Sequence, residues 1–357
     1  MGVYYFTIIT AGLFALLAQL SHAASAGSLP TGGYDRATRV FLVLAAFTLI
    51  FTAGCRYYVG TDYGAYYKGL TIYGGTFKKD FMALDEPMMP MLADIVGWFT
   101  DDGAYLIFLC SLITVGITTY TIFKNADQFL FAMLLYIFIG SWHGSFNGVR
   151  QYLAATFVFA GFRYIINKKF FKYALFVFLA FCCHRSAIIM ILPFFILRNR
   201  ITAKNILLLV AGTLFISLNY DAIFSFVGML KDDEVSQTSA YVTNSVSVMR
   251  ILVSCAPAIM ALIIYARKKP DRYETVYINM LIINAAAMVA ASSSTYLARI
   301  GIYTGIFIPV ALPGLLHLRN KNTEAFLKLL IIGFFAVYWY IDVGDSMRQF
   351  YWIWERL

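Results

Sequence analysis

Charge is scarce in this sequence. Only 13% of its 357 residues are charged, against 61% that are hydrophobic. A soluble domain of this size could not hide so much apolar surface, so that class is excluded. Several site signatures are missing too. There is no Asp-X-Asp pair, no glycine-rich phosphate loop opening a helix, and no His/Cys/Glu cluster at metal-ligand spacing. No metal and no tightly bound cofactor is therefore implied. The five cysteines, Cys55, Cys110, Cys182, Cys183 and Cys255, lie in or beside apolar runs and read as packing residues rather than a disulfide framework. Long internal repeats, low-complexity tracts and a separate soluble domain are all absent, which leaves a single transmembrane domain over residues 1–357.

What the sequence does have is long apolar runs divided by short basic links. The cations behind its net charge of +9 sit in those links, where they set topology, and do not form a nucleic-acid-binding patch. Runs such as Val3–Leu20, Val40–Cys55, Ala104–Phe123, Val248–Tyr265 and Tyr296–Leu318 predict an all-α polytopic protein. The usual length rule gives roughly ten to twelve transmembrane helices, with both termini outside. Ala24-Ser25-Ala26 resembles a signal-peptidase site, but a retained first helix is the favoured reading. Met88–Phe99 is too short to span and reads as a re-entrant or interfacial helix. Two long external loops are expected, at about 56–102 and 220–247, and the aromatic tail from Asp342 should lie on the outer surface.

The run Phe170–Leu197 is long for one helix and short for two. Lys168, Lys169 and Lys172 flank one end, and Arg198 and Arg200 the other. Cations at both ends favour an in-and-out path. The midpoint, Cys182-Cys183-His184-Arg185-Ser186, is then the outer tip.

This topology rests on lysines and arginines in the short links, yet it sends Arg56, Asp62, Glu86, Arg150, His184 and Arg299 to one side. External arginines break the positive-inside trend, and an anionic ligand would explain them. Arginine forks bind phosphate in a bidentate fashion, so a lipid diphosphate fits Arg56, Arg150 and Arg299. Taken singly, each is as well read as a snorkelling helix end. His184 and Asp62 are the candidate catalytic bases. An imidazole titrates nearer neutrality than a carboxylate, which favours His184 and leaves Asp62 to partner Arg56 or the acceptor. The bland readings are a core histidine and a turn aspartate after Gly60. Glu86-Pro87 suits the start of the short helix. Arg299 and Tyr303 share a helix face. His22 and His143 read as incidental, and His317 as an inner helix end.

At these residues the chain resembles the EpsG-type branch of the Wzy-like polysaccharide polymerases, membrane proteins of exopolysaccharide and O-antigen assembly. The resemblance lies in Arg56…Val59-Gly60-Thr61-Asp62-Tyr63, Glu86-Pro87, Val149-Arg150-Gln151-Tyr152-Leu153-Ala154, His184-Arg185-Ser186-Ala187 and Arg299-Ile300-Gly301-Ile302-Tyr303. These motifs are individually short but stand in order over most of the chain. The resemblance implies a metal-independent glycosyltransferase of GT-C-like architecture, multi-pass in the bacterial inner membrane, with its active site on the outer face. It would move a growing glycan from undecaprenyl diphosphate onto a lipid-linked repeat unit. Tyr63, Glu86, Gln151, Ser186 and Tyr303 would position the acceptor. The lipid bilayer is an implied partner, as are a flippase and a chain-length regulator of the same pathway. The residues alone also admit a lipid-linked oligosaccharide flippase, a membrane O-acyltransferase or a non-catalytic assembly factor. A flippase would want cations along a path and inverted repeats, and neither is present.

Overall fold

The protein is described here by a computed structural model covering the chain apart from residues 26–33, 76, 78–85, 127, 201, 220–245, 267, 294, 344–346, 348 and 356–357. Most of the loop expected at 220–247 lies outside the described residues, as do Lys78, Lys79, Asp80 and Asp85. The described residues are 79% helical, with one isolated β-bridge and no strand. The fold is an all-α polytopic membrane protein.

In chain order the helices are α1 (Gly2–Ser25), α2 (Arg36–Gly54), α3 (Tyr63–Tyr73), α4 (Met88–Gly97), α5 (Ala104–Asn125), α6 (Phe129–Phe138), α7 (Ser141–Gly144) and α8 (Val149–Ile166). They continue with α9 (Phe170–Cys183), a 3-10 segment (Arg185–Ile191), α10 (Pro193–Ile196), α11 (Ala203–Leu218), α12 (Val248–Tyr265) and α13 (Arg272–Ala290). The last are α14 (Thr295–Gly305), α15 (Ile308–Leu315) and α16 (Lys321–Asp342). Six of them (α1, α2, α5, α12, α13 and α16) are long and apolar enough to cross a bilayer. The expected ten to twelve crossings are thus only partly full-length helices, because several apolar runs form shorter ones, such as Phe129–Phe138 and Phe170–Cys183. The run Tyr296–Leu318 is not one helix either. It bends by 52° between Gly305 and Ile308, where Pro309 has no N–H to donate to the Gly305 carbonyl.

Burial is distributed as a lipid-facing protein requires. On α1 the buried face is small, with Ala11, Gly12, Ala15 and Ala18, while Phe6 and Ile9 point outward. Lipid tails are as apolar as leucine, so close backbone approach rather than water exclusion joins such helices. Hydroxyl pairs cross the helix contacts. Thr7 meets Thr52 at 2.9 Å between α1 and α2, and Thr118 meets Thr156 at 2.8 Å between α5 and α8. Bonds of this kind contribute roughly 0.6 kcal/mol each in a bilayer, so they register the helices more than they hold them. Asp35 caps α2 through the amides of Ala37 and Thr38 and also accepts from Ser21 and Ser25, which ties the α1–α2 corner.

The break expected at His184 is present as a reversal of the chain. The chain reverses after α9, and Tyr173 of α9 donates its hydroxyl to the Met190 carbonyl on the returning arm at 2.5 Å. Phe170 packs against both Phe194 and Phe195. His184 stands at the reversal in extended conformation.

Arg56 is where structure and sequence part. It is only 1% exposed. Its guanidinium donates to the carbonyls of Ala53, Val59 and Phe146 and to Ser111 Oγ, and it stacks over the Phe146 ring at 4.5 Å. The expected diphosphate contact and the expected pairing with Asp62 are both corrected: this cation is spent on backbone inside the protein. Tyr63, also expected at the acceptor, is 1% exposed and packed among Tyr57, Tyr58 and Tyr67. The tail closes the same corner, with Tyr57 N–H donating to the Tyr351 carbonyl and Ile353 N–H to that of Cys55, each at 2.8 Å. Gly60, at φ +101°, lets the turn pass Asn147, whose Oδ1 would lie 2.6 Å from an added Cβ.

Arg56→Lys keeps the charge but cannot serve these acceptors together. Stranding two or three of them should cost on the order of 3 kcal/mol. Thermal unfolding in detergent should show a clearly lowered midpoint. An unchanged midpoint would contradict the clasp.

Candidate active site

Glu86 is the centre of the candidate site. It lies in the segment before α4, with its side chain 15% exposed. Oε2 takes a charged hydrogen bond from Arg150 at 2.7 Å, in the first turn of α8. Oε1 takes one from His184 Nδ1 at 2.7 Å and one from the Arg185 amide at 3.0 Å, at the α9 reversal. One carboxylate thus joins three separate stretches of chain. Burial works to raise the Glu86 carboxyl. The bonds from His184 and the Arg185 amide, with the charges of His184 and Arg150, outweigh it and hold the group below its ordinary value.

A carboxylate only accepts, so the His184–Glu86 bond places a proton on Nδ1. The neutral ring then has its lone pair on Nε2. Gln151, one residue after Arg150, lies 3.2 Å from that nitrogen with its Nε2 amide group, which donates to it. Ser186 Oγ meets the Tyr303 hydroxyl at 2.9 Å and links the reversal to α14.

Beside this network lies a cavity of about 530 Å³, lined by Asp62, His143, Gln151, Arg250, Arg299 and Asp342 among others. Gln151 both lines the cavity and touches His184, so it stands between the two. Of the three arginines expected at diphosphate, Arg299 lines the cavity, Arg150 is held by Glu86, and Arg56 is buried elsewhere. Asp62 lines the cavity from the start of α3, where its side chain caps nothing.

Two features were not foreseen from sequence. Arg250, in the first turn of α12, pairs with Asp342 at the end of α16 at 2.9 Å across the cavity lining. His143, read as incidental, is 3% exposed and lines the cavity. Its Nδ1 accepts from the Trp339 indole at 3.0 Å; an indole can only donate, so the neutral ring carries its proton on Nε2. The glycine-rich break around it was the available signal. Gly140 takes φ +83°, and a Cβ on Gly144 would fall on the Tyr152 hydroxyl. Among the described residues no three His, Cys, Asp or Glu side chains gather closely enough to hold a metal ion.

A family model described as the EpsG family matches residues 39–353. The chain belongs to the EpsG family. The matched span includes every residue of the Glu86 network and of the cavity wall. No curated protein matches, and no solved structure does. EpsG membership supports a polysaccharide polymerase-type role for this multi-pass membrane protein.

The Glu86 pairing predicts a pH signature. A carboxyl held below its ordinary value of 4.5 stabilises the fold fully above that value, and the contribution fades as pH falls through the lower folded value. Wild type should unfold at a higher temperature than Glu86→Gln at neutral pH. The gap should stay level down to about pH 5 and close below it. A gap that persists unchanged at pH 3 would contradict the pairing.

Proposed function

We propose that this EpsG-family protein is a polysaccharide polymerase acting at the outer face of the bacterial inner membrane. The donor is a growing glycan on undecaprenyl diphosphate, and the acceptor is the sugar end of a lipid-linked repeat unit. The observation that carries the reading is the pairing of one cavity with two kinds of group: Arg299 in its wall, and His184 behind Gln151 with its Nε2 lone pair directed at that residue. Glycosyl transfer needs both a base for the attacking hydroxyl and a cation for the departing diphosphate.

The acceptor hydroxyl replaces Gln151 at His184 Nε2, which requires only a rotation of the glutamine side chain. Nε2 takes the hydroxyl proton as the oxygen attacks the anomeric carbon of the donor. The bond from that carbon to the diphosphate oxygen breaks, and its electron pair leaves with the lipid diphosphate, next to Arg299. Glu86 stabilises the imidazolium that forms, and Arg150 keeps Glu86 in place. Asp62, on the cavity wall, orients the acceptor sugar. Ser186 and Tyr303 hold the reversal that carries His184. A flippase delivering the substrate and a chain-length regulator are the protein partners this pathway position calls for. The glycosyltransferase reading is favoured over flipping because polar residues from several helices line one cavity beside the His184 network and the sequence carries no inverted repeat.

The test is elongation by purified protein in lipid, with a lipid-linked repeat unit as sole substrate and no nucleotide sugar or acyl donor. A ladder of lengthened products is expected. His184→Gln should lose at least about a hundredfold in rate, the usual scale for a general base. No ladder from wild type would overturn the polymerase reading. A near-normal His184→Gln beside a dead Asp62→Asn would transfer the base role to Asp62.

A further inference from the structure

The Arg250–Asp342 pair takes no part in the chemistry above, yet it lines the same cavity. Its two residues come from opposite parts of the sequence, the start of α12 and the end of α16. The pair is joined by one guanidinium–carboxylate hydrogen bond, from Nη2 to Oδ1 at 2.9 Å, where a fork-to-fork pairing would make two. Both side chains remain accessible, Arg250 at 46% and Asp342 at 29%. Tyr338, one turn before Asp342 and itself lining the cavity, hydrogen-bonds with both. An accessible pair that shares one direct hydrogen bond in a ligand-sized cavity is open to exchange with a ligand in a way that a fully buried clasp is not. Arg56 shows the contrast, with four acceptors and almost no exposure.

We propose that Arg250 is a diphosphate-binding residue and that Asp342 is its exchangeable latch. The inference rests on the reading of this cavity as a site for a lipid diphosphate. In the empty protein Asp342 neutralises Arg250. A diphosphate carries more negative charge and more acceptor oxygens than one carboxylate, and it can fill the guanidinium fork that Asp342 uses in part. It therefore displaces Asp342 and takes up Arg250, with Arg299 as the second cation in the same wall. Tyr338 keeps the freed carboxylate partnered during the exchange. When the polyprenyl diphosphate product must leave, Asp342 competes for Arg250 and speeds its departure. The latch thus trades affinity for turnover, and it discriminates against ligands of a single negative charge, which gain too little to open it.

The latch makes an unusual demand: removing the acid must tighten binding, and only through the arginine. The test is equilibrium binding of undecaprenyl diphosphate to full-length protein in lipid nanodiscs, without acceptor, with inorganic diphosphate as competitor. Arg250→Gln should weaken binding at least tenfold. Arg250→Lys, which keeps the charge and guards against misfolding, should weaken it several-fold. Asp342→Asn should tighten binding several-fold and slow product release. The double variant should bind as weakly as Arg250→Gln alone. Competition by inorganic diphosphate supports the headgroup as the ligand, and its absence would overturn that assignment. Tightening by Asp342→Asn in the Arg250→Gln background would reduce the effect to net charge and overturn the latch. Unchanged binding in both arginine variants, with wild type still binding, would overturn the inference and leave the polymerase reading standing. Failure of wild type to bind would remove both.

Discussion

The candidate site depends on one carboxylate. Glu86 accepts from Arg150, His184 and the Arg185 amide, and so fixes the first turn of α8 against the reversal after α9. Each donor alone would be a modest contact. Together they engage both carboxylate oxygens and leave His184 one proton position. That is the economy of a buried polar network: fully satisfied it specifies a single arrangement, and half satisfied it would be worse than an apolar core. The amide of Arg185, freed where the helix breaks, finds its acceptor in the same carboxylate that orients the base.

Cations at this end of the bundle do three different jobs. Arg56 is a clasp, which gathers carbonyls from the end of α2 and the segment before α8. Arg150 is a support, turned toward Glu86. Arg250 and Arg299 face the cavity. Exposure and partner type separate these roles, and neither can be read from residue identity. An arginine in a helix-end motif is equally suited to hold phosphate or backbone. The difference is whether the chain supplies carbonyls around it, and Phe146 lies ninety positions away from Arg56.

The sequence therefore reveals the site unevenly. Apolar runs and basic links foretell the membrane helices, and the interrupted run Phe170–Leu197 foretells its own reversal, because both depend on local hydropathy. The ordered motifs bring Glu86, Arg150, Gln151, His184, Ser186 and Tyr303 into view, and these do meet. Local pattern does not show that Glu86, drawn as a helix-start residue, is the hub, since its partners lie 64 and 98 positions on. Nor does it show Arg250 with Asp342, 92 positions apart. The bend after Gly305 was signalled by Gly305 and Pro309, but an apolar run of full membrane length masked it. Topology assigns Arg56 to a diphosphate and the resemblance assigns Tyr63 to the acceptor; carbonyl clasping and aromatic packing bury both instead.

The proton on the His184 ring tests the central claim most directly. With ¹⁵N-labelled histidine in nanodiscs, the His184 resonances are assigned by comparison with His184→Gln, and nitrogen shifts report which ring nitrogen is protonated. Neutral His184 should carry its proton on Nδ1, toward Glu86, and leave Nε2 as the base. In Glu86→Gln that preference should weaken into a mixture of the two forms. A neutral ring protonated on Nε2 in the wild-type protein would contradict the role given to Glu86, and with it the assignment of His184 as the base.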